Sequence, residues 1–265
     1  MSTKHILMCP PKFFDIEYEI NAWMHTDNQV VSGTAKDQWK QLHAIYTKLG
    51  YTIDQIEPVQ GLPDLVFSTD SCLIIDGRVM LSKFRYPERQ PETAQYEKWL
   101  RKAGYTNISR PQHLFEGGGD ALVCGDLILV GYGFRSELES HAELDNYFDK
   151  SVISLRLIDP NFYHMDTALA VLDKDTVAYY PGAFDQSSRR ALELAIPNTI
   201  EATFEEAKGF GLNAVSDGTN VITSNESASL LKKYEKAGYT VHGTPILEFR
   251  KSGGGVKCLT LDLRD

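Results

Sequence analysis

Residues 92–106 read Glu92-Thr93-Ala94-Gln95-Tyr96-Glu97-Lys98-Trp99-Leu100-Arg101-Lys102-Ala103-Gly104-Tyr105-Thr106. The first twelve form the pattern of an amphipathic helix. Gly104 stops it, because a residue without a Cβ enters the left-handed conformation beyond a helix end without steric penalty. Tyr105-Thr106 then opens a segment of β type. The same ending returns as Leu49-Gly50-Tyr51-Thr52 and as Ala237-Gly238-Tyr239-Thr240, after helical patterns over 37–49 and 226–237. A fourth helical pattern, over 187–195, is ended by Pro197.

Between these helices lie hairpin signals at Asp76-Gly77, Gly125-Asp126, Asp173-Lys174-Asp175 and Asp217-Gly218. Asp-Gly between two apolar runs is a strong short-range signal for a β-hairpin. The flanking runs are 71–75 with 78–81, 121–124 with 127–130, 168–172 with 176–180, and 212–215 with 220–223. Taking Asp76, Gly125, Lys174 and Asp217 as markers, the spacings are 49, 49 and 43 residues. A fixed period of this kind decides architecture. The unit is strand, turn, strand, helix, strand. A fifth unit is expected from the chain ends: residues 5–9 and 257–263 are apolar strands without local partners, and pairing them closes the ring and removes two edges. The expected fold is α/β, a five-unit ββαβ propeller with pseudo-fivefold symmetry, spanning residues 1–265 as one catalytic domain.

The chain has 265 residues, 42% hydrophobic and 24% charged, with a formal net charge of −9. This is the composition of a soluble globular protein. No apolar run approaches the ~18 residues of a spanning helix, so no membrane partner is expected. The stretch after Met1-Ser2-Thr3-Lys4-His5 is shorter than the ~7–15 apolar residues of a secretory leader, which makes the cytoplasm the expected location. The acidic balance excludes nucleic acid, for want of a basic stripe, and favours a small cationic ligand. Cys9, Cys72, Cys124 and Cys258 form no C-x-x-C pair, so no zinc knuckle is signalled.

A ring of similar units brings equivalent positions together at its axis. The segments leading into the strands carry Asp70, then Glu116-Gly117-Gly118-Gly119-Asp120, then His164-Met165-Asp166, and finally Gly253-Gly254-Gly255-Val256-Lys257-Cys258. Read singly, Asp70 caps a turn, Glu116 is a loop residue and His164 is a core histidine. Cys72 and Cys124 lie within apolar strands and read as core. Cys258 differs, since three glycines allow close approach and a cation at Lys257, if near, favours the thiolate. Read together at one phase of the repeat, carboxylates, a histidine and a cysteine share a cavity.

Other chemistries lack their parts. There is no G-x-S-x-G elbow, residues 131–136 lack the third glycine of a dinucleotide loop, and residues 253–257 lack P-loop spacing. His164 and Asp166 have no second ligand cluster, so no metal is expected.

The segments Met8-Cys9-Pro10-Pro11, residues 15–21, Phe115-Glu116-Gly117-Gly118-Gly119-Asp120, residues 131–138, Phe162-Tyr163-His164-Met165-Asp166-Thr167 and Cys258-Leu259-Thr260-Leu261 together resemble the guanidine-modifying branch of the pentein superfamily. That branch includes arginine deiminases, dimethylarginine dimethylaminohydrolases, amidinotransferases and arginine dihydrolases. The resemblance covers the whole chain. It implies Cys258 as nucleophile, His164 as general acid and base, and Glu116 as a third catalytic residue. It implies Asp70, Asp166 and Glu116 as a clamp on the guanidinium, Arg89 and Arg135 as holders of the substrate's α-carboxylate, and Asn21, Asp64 and Phe67 as pocket residues. Two departures stand out: the arginine dihydrolases it resembles carry asparagine at the position of Asp70, and dimethylarginine hydrolases lack the equivalent of Asp166.

The implied activity is a cysteine-dependent hydrolase of the guanidine group of arginine or N-methylarginine, giving citrulline plus ammonia or methylamine through a covalent adduct. Alternatives are an arginine dihydrolase yielding ornithine, an amidinotransferase, and a binding protein without catalysis. No cofactor is implied. The expected partners are a small guanidino cation and further copies of the chain, as a homodimer or higher homo-oligomer.

Overall fold

The structure, a computed structural model, describes residues 4–263; residues 1–3 and 264–265, and with them part of the leader reading and of the 1–265 span, lie outside the described residues. Among the described residues the strands form five three-stranded sheets. In each, the first strand pairs antiparallel with the second, and the second pairs parallel with the third. Cys72–Ile75, Arg78–Leu81 and Asn107–Ser109 form one sheet, and Ala121–Cys124, Leu127–Tyr132 and Ser151–Arg156 the next. Leu169–Val171, Thr176–Tyr179 and Asn198–Glu201 form a third, and Val215–Ser216, Asn220–Ser224 and Thr240–Thr244 a fourth. A parallel pair needs a long crossover, and helices supply it at Glu92–Lys102, Ser140–Phe148, Gln186–Ala195 and Ala228–Lys236.

The chain ends build the fifth sheet: Ile6 faces Asp262 and Leu7 faces Leu261, while His5–Met8 runs parallel to Thr52–Gln55 across the helix Ser32–Lys48. The fold is therefore the five-unit propeller. At the first hairpin Asp76 and Gly77 both have positive φ, 51° and 70°, as a two-residue type I′ turn requires. The helices pack their apolar stripes inward. On Ser32–Lys48 these are Ala35, Trp39, Leu42 and Tyr46, and each large side chain so buried contributes about 1.5–3 kcal/mol. Buried tyrosines tie helices to the axis: Tyr96 donates to the carbonyl of Leu65 and Tyr234 to that of Gly211. No helix among the described residues is long and apolar enough to cross a membrane.

Several boundaries differ from those expected. The helix Ser140–Phe148 was absent from the sequence reading; it ends at Asp149, whose φ of 53° does the work of the missing glycine. The first helix begins at Ser32, earlier than 37, since the Val31 N–H is taken by Glu248 Oε2 at 2.7 Å from across the ring. The strands expected over 212–215 and 257–263 shrink to Val215–Ser216 and Leu261–Asp262. In the first the Ala214 N–H turns back to the Leu212 carbonyl. In the second the Asn213 side-chain oxygen takes the N–H groups of Lys257 and Cys258, and those of Leu259 and Thr260 close a turn on the carbonyls of Gly255 and Lys257.

A cavity of about 520 Å³ lies at the turn end of the axis, against Asp76, Gly125, Lys174, Asp217 and Asp262. The titratable cluster sits at the opposite end of the strands, where they begin.

Candidate active site

Three of the inner strands are entered through a short helical turn: Ser68–Ser71, Gly117–Asp120 and Met165–Ala168. These turns pack against one another at the axis. They deliver Asp70, Glu116 with Asp120, and His164 with Asp166. Packing this close depends on glycine. Gly117 has φ +56°, and a Cβ there would stand 2.7 Å from the Asp70 carbonyl oxygen; one on Gly119 would press on Asp70 Oδ1 and stand 3.0 Å from His164 Nδ1. Gly119→Ala is expected to displace the Asp70 carboxylate and cut turnover about tenfold or more, with circular dichroism unchanged. Full activity in that variant means Asp70 is not needed where it stands.

The cluster is closed from solvent. Cys258 is 2% exposed, His164 1%, Glu116 0%, Asp70 2% and Asp166 1%. His164 Nε2 and Glu116 Oε2 are 2.7 Å apart, and His164 Nδ1 lies 3.7 Å from Asp70 Oδ1. The Cys258 thiol donates to Asp166 Oδ2 at 3.2 Å. Asp120 supports the group from behind, accepting from the Ser136 hydroxyl and from the N–H of Met165.

Both arginines are engaged inside the protein. Arg89 donates to Asp70 Oδ2 at 2.7 Å and grips Glu92 with two nitrogens. Arg135 donates to Glu116 Oε2 at 2.9 Å and to the Ile20 carbonyl at 3.0 Å, beneath the rings of Tyr86 and Tyr163. The Ile20 contact belongs to a cover formed by residues 10–31, whose Ile16, Ile20 and Met24 are buried together. Tyr18 donates to Asp64 Oδ2, Asn21 to the Ser252 carbonyl and Trp23 to that of Asn161. Phe67 lies beneath the glycine triplet, where Gly254 rests on its ring; the close approach those glycines permit is to the protein's own side chains.

Lys257 departs from expectation. Its ammonium turns to Asp262 Oδ2 at 3.3 Å, toward the turn-end cavity. The side-chain donor at the sulfur is Asn213, with Nδ2 3.1 Å from Sγ. Sequence reasoning passed over Asn213, Asp120 and Glu92. Asn213, like Asp70, lies in a segment leading into a strand, but it stands four residues before Asp217 where Asp70 stands six before Asp76, so the repeat phase does not single it out.

Buried carboxylates outnumber buried cations here: Asp64, Asp70, Glu92, Glu116, Asp120 and Asp166 against Arg89, Arg135 and His164. Burial opposes a charge on His164, but Asp70, Asp120 and Glu116 outweigh it and raise it to about 9. Burial favours protonated Glu116, yet Arg135 and His164 hold it well below its ordinary value. Burial and then Asp70 push Asp166 up to about 7. Burial, Asp166 and Asp70 push the Cys258 thiol far up. Three carboxylate oxygens in this group, Asp64 Oδ1, Asp70 Oδ1 and Asp166 Oδ1, are buried without a hydrogen-bond partner.

The family model for arginine deiminase matches residues 28–208. The chain belongs to the arginine deiminase family. It is 41% identical over 261 residues to N(G),N(G)-dimethylarginine dimethylaminohydrolase of Mycobacterium tuberculosis, covering 98% of this chain and 86% of that one. It is 42% identical over 262 residues to the bifunctional arginine dihydrolase/ornithine cyclodeaminase ArgZ of Synechocystis, covering 97% of this chain but 37% of that protein, so it spans little more than a third of ArgZ. The solved N-terminal domain of ArgZ, covalently bound to a reaction intermediate, superposes with a TM-score of 0.94 at 40% identity, over 98% of each chain. A dimethylarginine dimethylaminohydrolase structure at 19% identity and TM-score 0.83 shares the fold, which is that of the pentein propeller. These named relatives are hydrolases of amidine C–N bonds.

Proposed function

We propose that the chain hydrolyses the guanidine group of arginine or of an N-methylated arginine, through a covalent adduct on Cys258, giving citrulline with ammonia or methylamine. The observation that carries this reading is the set of orphaned oxygens on Asp64, Asp70 and Asp166 amid an excess of buried carboxyl groups over buried cations. Buried acceptors without donors are costly. A guanidinium is a planar cation whose N–H groups match paired carboxylates, so it satisfies the acceptors and offsets the charge together.

The chemistry follows from the neighbours. A bound cation beside Asp166 draws the thiol of Cys258 toward thiolate, the nucleophilic form. The thiolate adds to the central guanidine carbon. His164, protonated at neutral pH beside Glu116 and Asp70, gives its proton to the departing nitrogen. Neutral His164 then takes a proton from the water that cleaves the thioether-like adduct, which restores Cys258. Arg89 is engaged on both sides, by Glu92, by Asp70 and by the Asp64 carbonyl. Arg135 gives one N–H to Glu116 and one to the Ile20 carbonyl, and has more N–H groups left for the α-carboxylate. The ArgZ domain solved with a covalently bound intermediate supports an adduct route.

A second reading, release of ornithine by two successive hydrolyses, is favoured by the 42% identity to ArgZ. The test is incubation with arginine, monomethylarginine, dimethylarginine and agmatine, with and without glycine as amine acceptor, each product identified by mass. Citrulline is expected. Ornithine as end product selects the second reading, transfer to glycine selects an amidinotransferase, and four unchanged substrates overturn the proposal.

A further inference from the structure

We infer that Asn213 is a catalytic residue of this site: its carboxamide donates a hydrogen bond to the Cys258 sulfur, and thereby aims the sulfur and favours its thiolate form. The inference rests on the reading of Cys258 as nucleophile.

Asn213 is fully buried, in the short segment before Val215–Ser216. Its orientation is set by the backbone on both sides. Oδ1 faces two donors, the N–H of Lys257 at 2.8 Å and that of Cys258 at 3.2 Å. A flipped amide would oppose its NH2 to both, so the oxygen belongs there. Nδ2 then has two hydrogens and two acceptors within reach: the Asp166 carbonyl at 3.1 Å and Cys258 Sγ at 3.1 Å. One side chain thus couples the loop that carries the nucleophile to the turn that carries the clamp carboxylate.

The surroundings explain why a neutral donor matters. Asp166 Oδ2 lies 3.2 Å from the sulfur. Asp70 also opposes a charge on it. The nearest cation by sequence, Lys257, is turned to Asp262, and His164 is held by Glu116 and Asp70. Charged groups facing the sulfur therefore oppose its ionisation. Hydrogen bonds to the ionised form act the other way; the backbone of Gly255 makes one such contribution, and Asn213 is the side chain that adds another. The amide has no basic atom and keeps its protons through the reaction. The thiol proton leaves on the Asp166 side, and the N–H stays on the sulfur as it attacks and again as it departs.

The test uses the whole chain as Asn213→Ala and Asn213→Asp. The second keeps an oxygen for the two backbone N–H groups and sets an anion against the sulfur. Iodoacetamide, an uncharged reagent, is applied across pH, and mass spectrometry follows labelling of Cys258, with Cys258→Ser as background. The midpoint of the labelling profile is expected to rise by about one pH unit or more in Asn213→Ala and further in Asn213→Asp, the range for losing a hydrogen bond to a charged group. On the guanidine compound that is turned over, kcat is expected to fall about ten- to a hundredfold while KM changes less than about threefold. Profiles that superpose on wild type overturn the inference, even where the variants melt earlier, because loop support alone leaves the thiol unchanged. If neither variant folds, the Asn213 side-chain amide proton is followed by NMR in the wild-type chain. Its resonance is expected to titrate with Cys258, and a resonance independent of pH overturns the inference. Labelling needs no turnover, so wild-type inactivity toward every guanidine tested sinks the proposed reaction while the profiles still decide the hydrogen bond.

Discussion

Cys258→Ser is expected to lower turnover of the preferred guanidine compound by at least about 10⁴-fold, the scale on which loss of a nucleophile acts, with the melting temperature close to wild type. Cys258 is 2% exposed, and its sulfur has an amide and a carboxylate as polar neighbours. A hydroxyl fills the same space and accepts the same N–H, so packing changes little. What changes is acidity: an alkoxide beside Asp166 and Asp70 is far less accessible than a thiolate, even with a cation bound. Steady-state rates by product mass, with thermal unfolding as control, check both halves. A serine variant that retains wild-type rates removes Cys258 from the mechanism.

His164→Ala is expected to reduce kcat about 10²–10⁴-fold, the usual contribution of a positioned acid and base, and to leave adduct on the enzyme. Attack by Cys258 does not need the imidazole, whereas loss of the amine needs its proton and release of the adduct needs the water it activates, so the reaction stalls with substrate carbon on the sulfur. Intact-protein mass after brief exposure to substrate should show added mass that maps to Cys258. Clean turnover without any adduct assigns the proton transfers elsewhere. The variant also carries a pH signature. Asp70, Asp120 and Glu116 raise folded His164 to about 9, above its ordinary value of 6.5, against the opposing effect of burial. A group raised by folding adds stability that is complete below the unfolded value and lost as pH rises through the folded one. The stability gap between wild type and His164→Ala should therefore be wide below pH 6.5 and narrow through pH 9. A gap independent of pH means the histidine is neutral in the resting site.

Much of the architecture was legible because hairpins and helix stops are local chemistry. Asp76-Gly77 takes the positive φ angles of a tight turn, and Gly50, Gly104 and Gly238 take positive φ beyond their helices. Such signals need no knowledge of the rest of the chain. The helix Ser140–Phe148 escaped notice because its stop is Asp149, a residue that enters the left-handed region only at some cost. The end pairing of Ile6 with Asp262 was reachable from the repeat, since a ring of identical units leaves one sheet that the termini alone complete.

At the site, the repeat phase was enough to gather Asp70, Glu116, His164, Asp166 and Cys258 at one place. It did not reveal their partners. Lys257 looked like the cation for the sulfur because it is adjacent in sequence, yet it faces Asp262 and the other end of the axis. Asn213, forty-five residues away, holds the sulfur. Arg89 and Arg135 were placed in the pocket, while Glu92, Asp70 and Glu116 occupy part of each guanidinium.

From its amino acids alone this chain determined four hairpin units of one kind, their closure into a ring by a fifth built from the chain ends, and which polar side chains meet at the hub, because backbone preference and apolar period act over a few residues. Tertiary structure decided which of those groups are pushed toward or away from charge and which donor reaches the Cys258 sulfur. Both depend on desolvation and on distances of a few ångströms between segments that only the stacking of neighbouring units brings into contact.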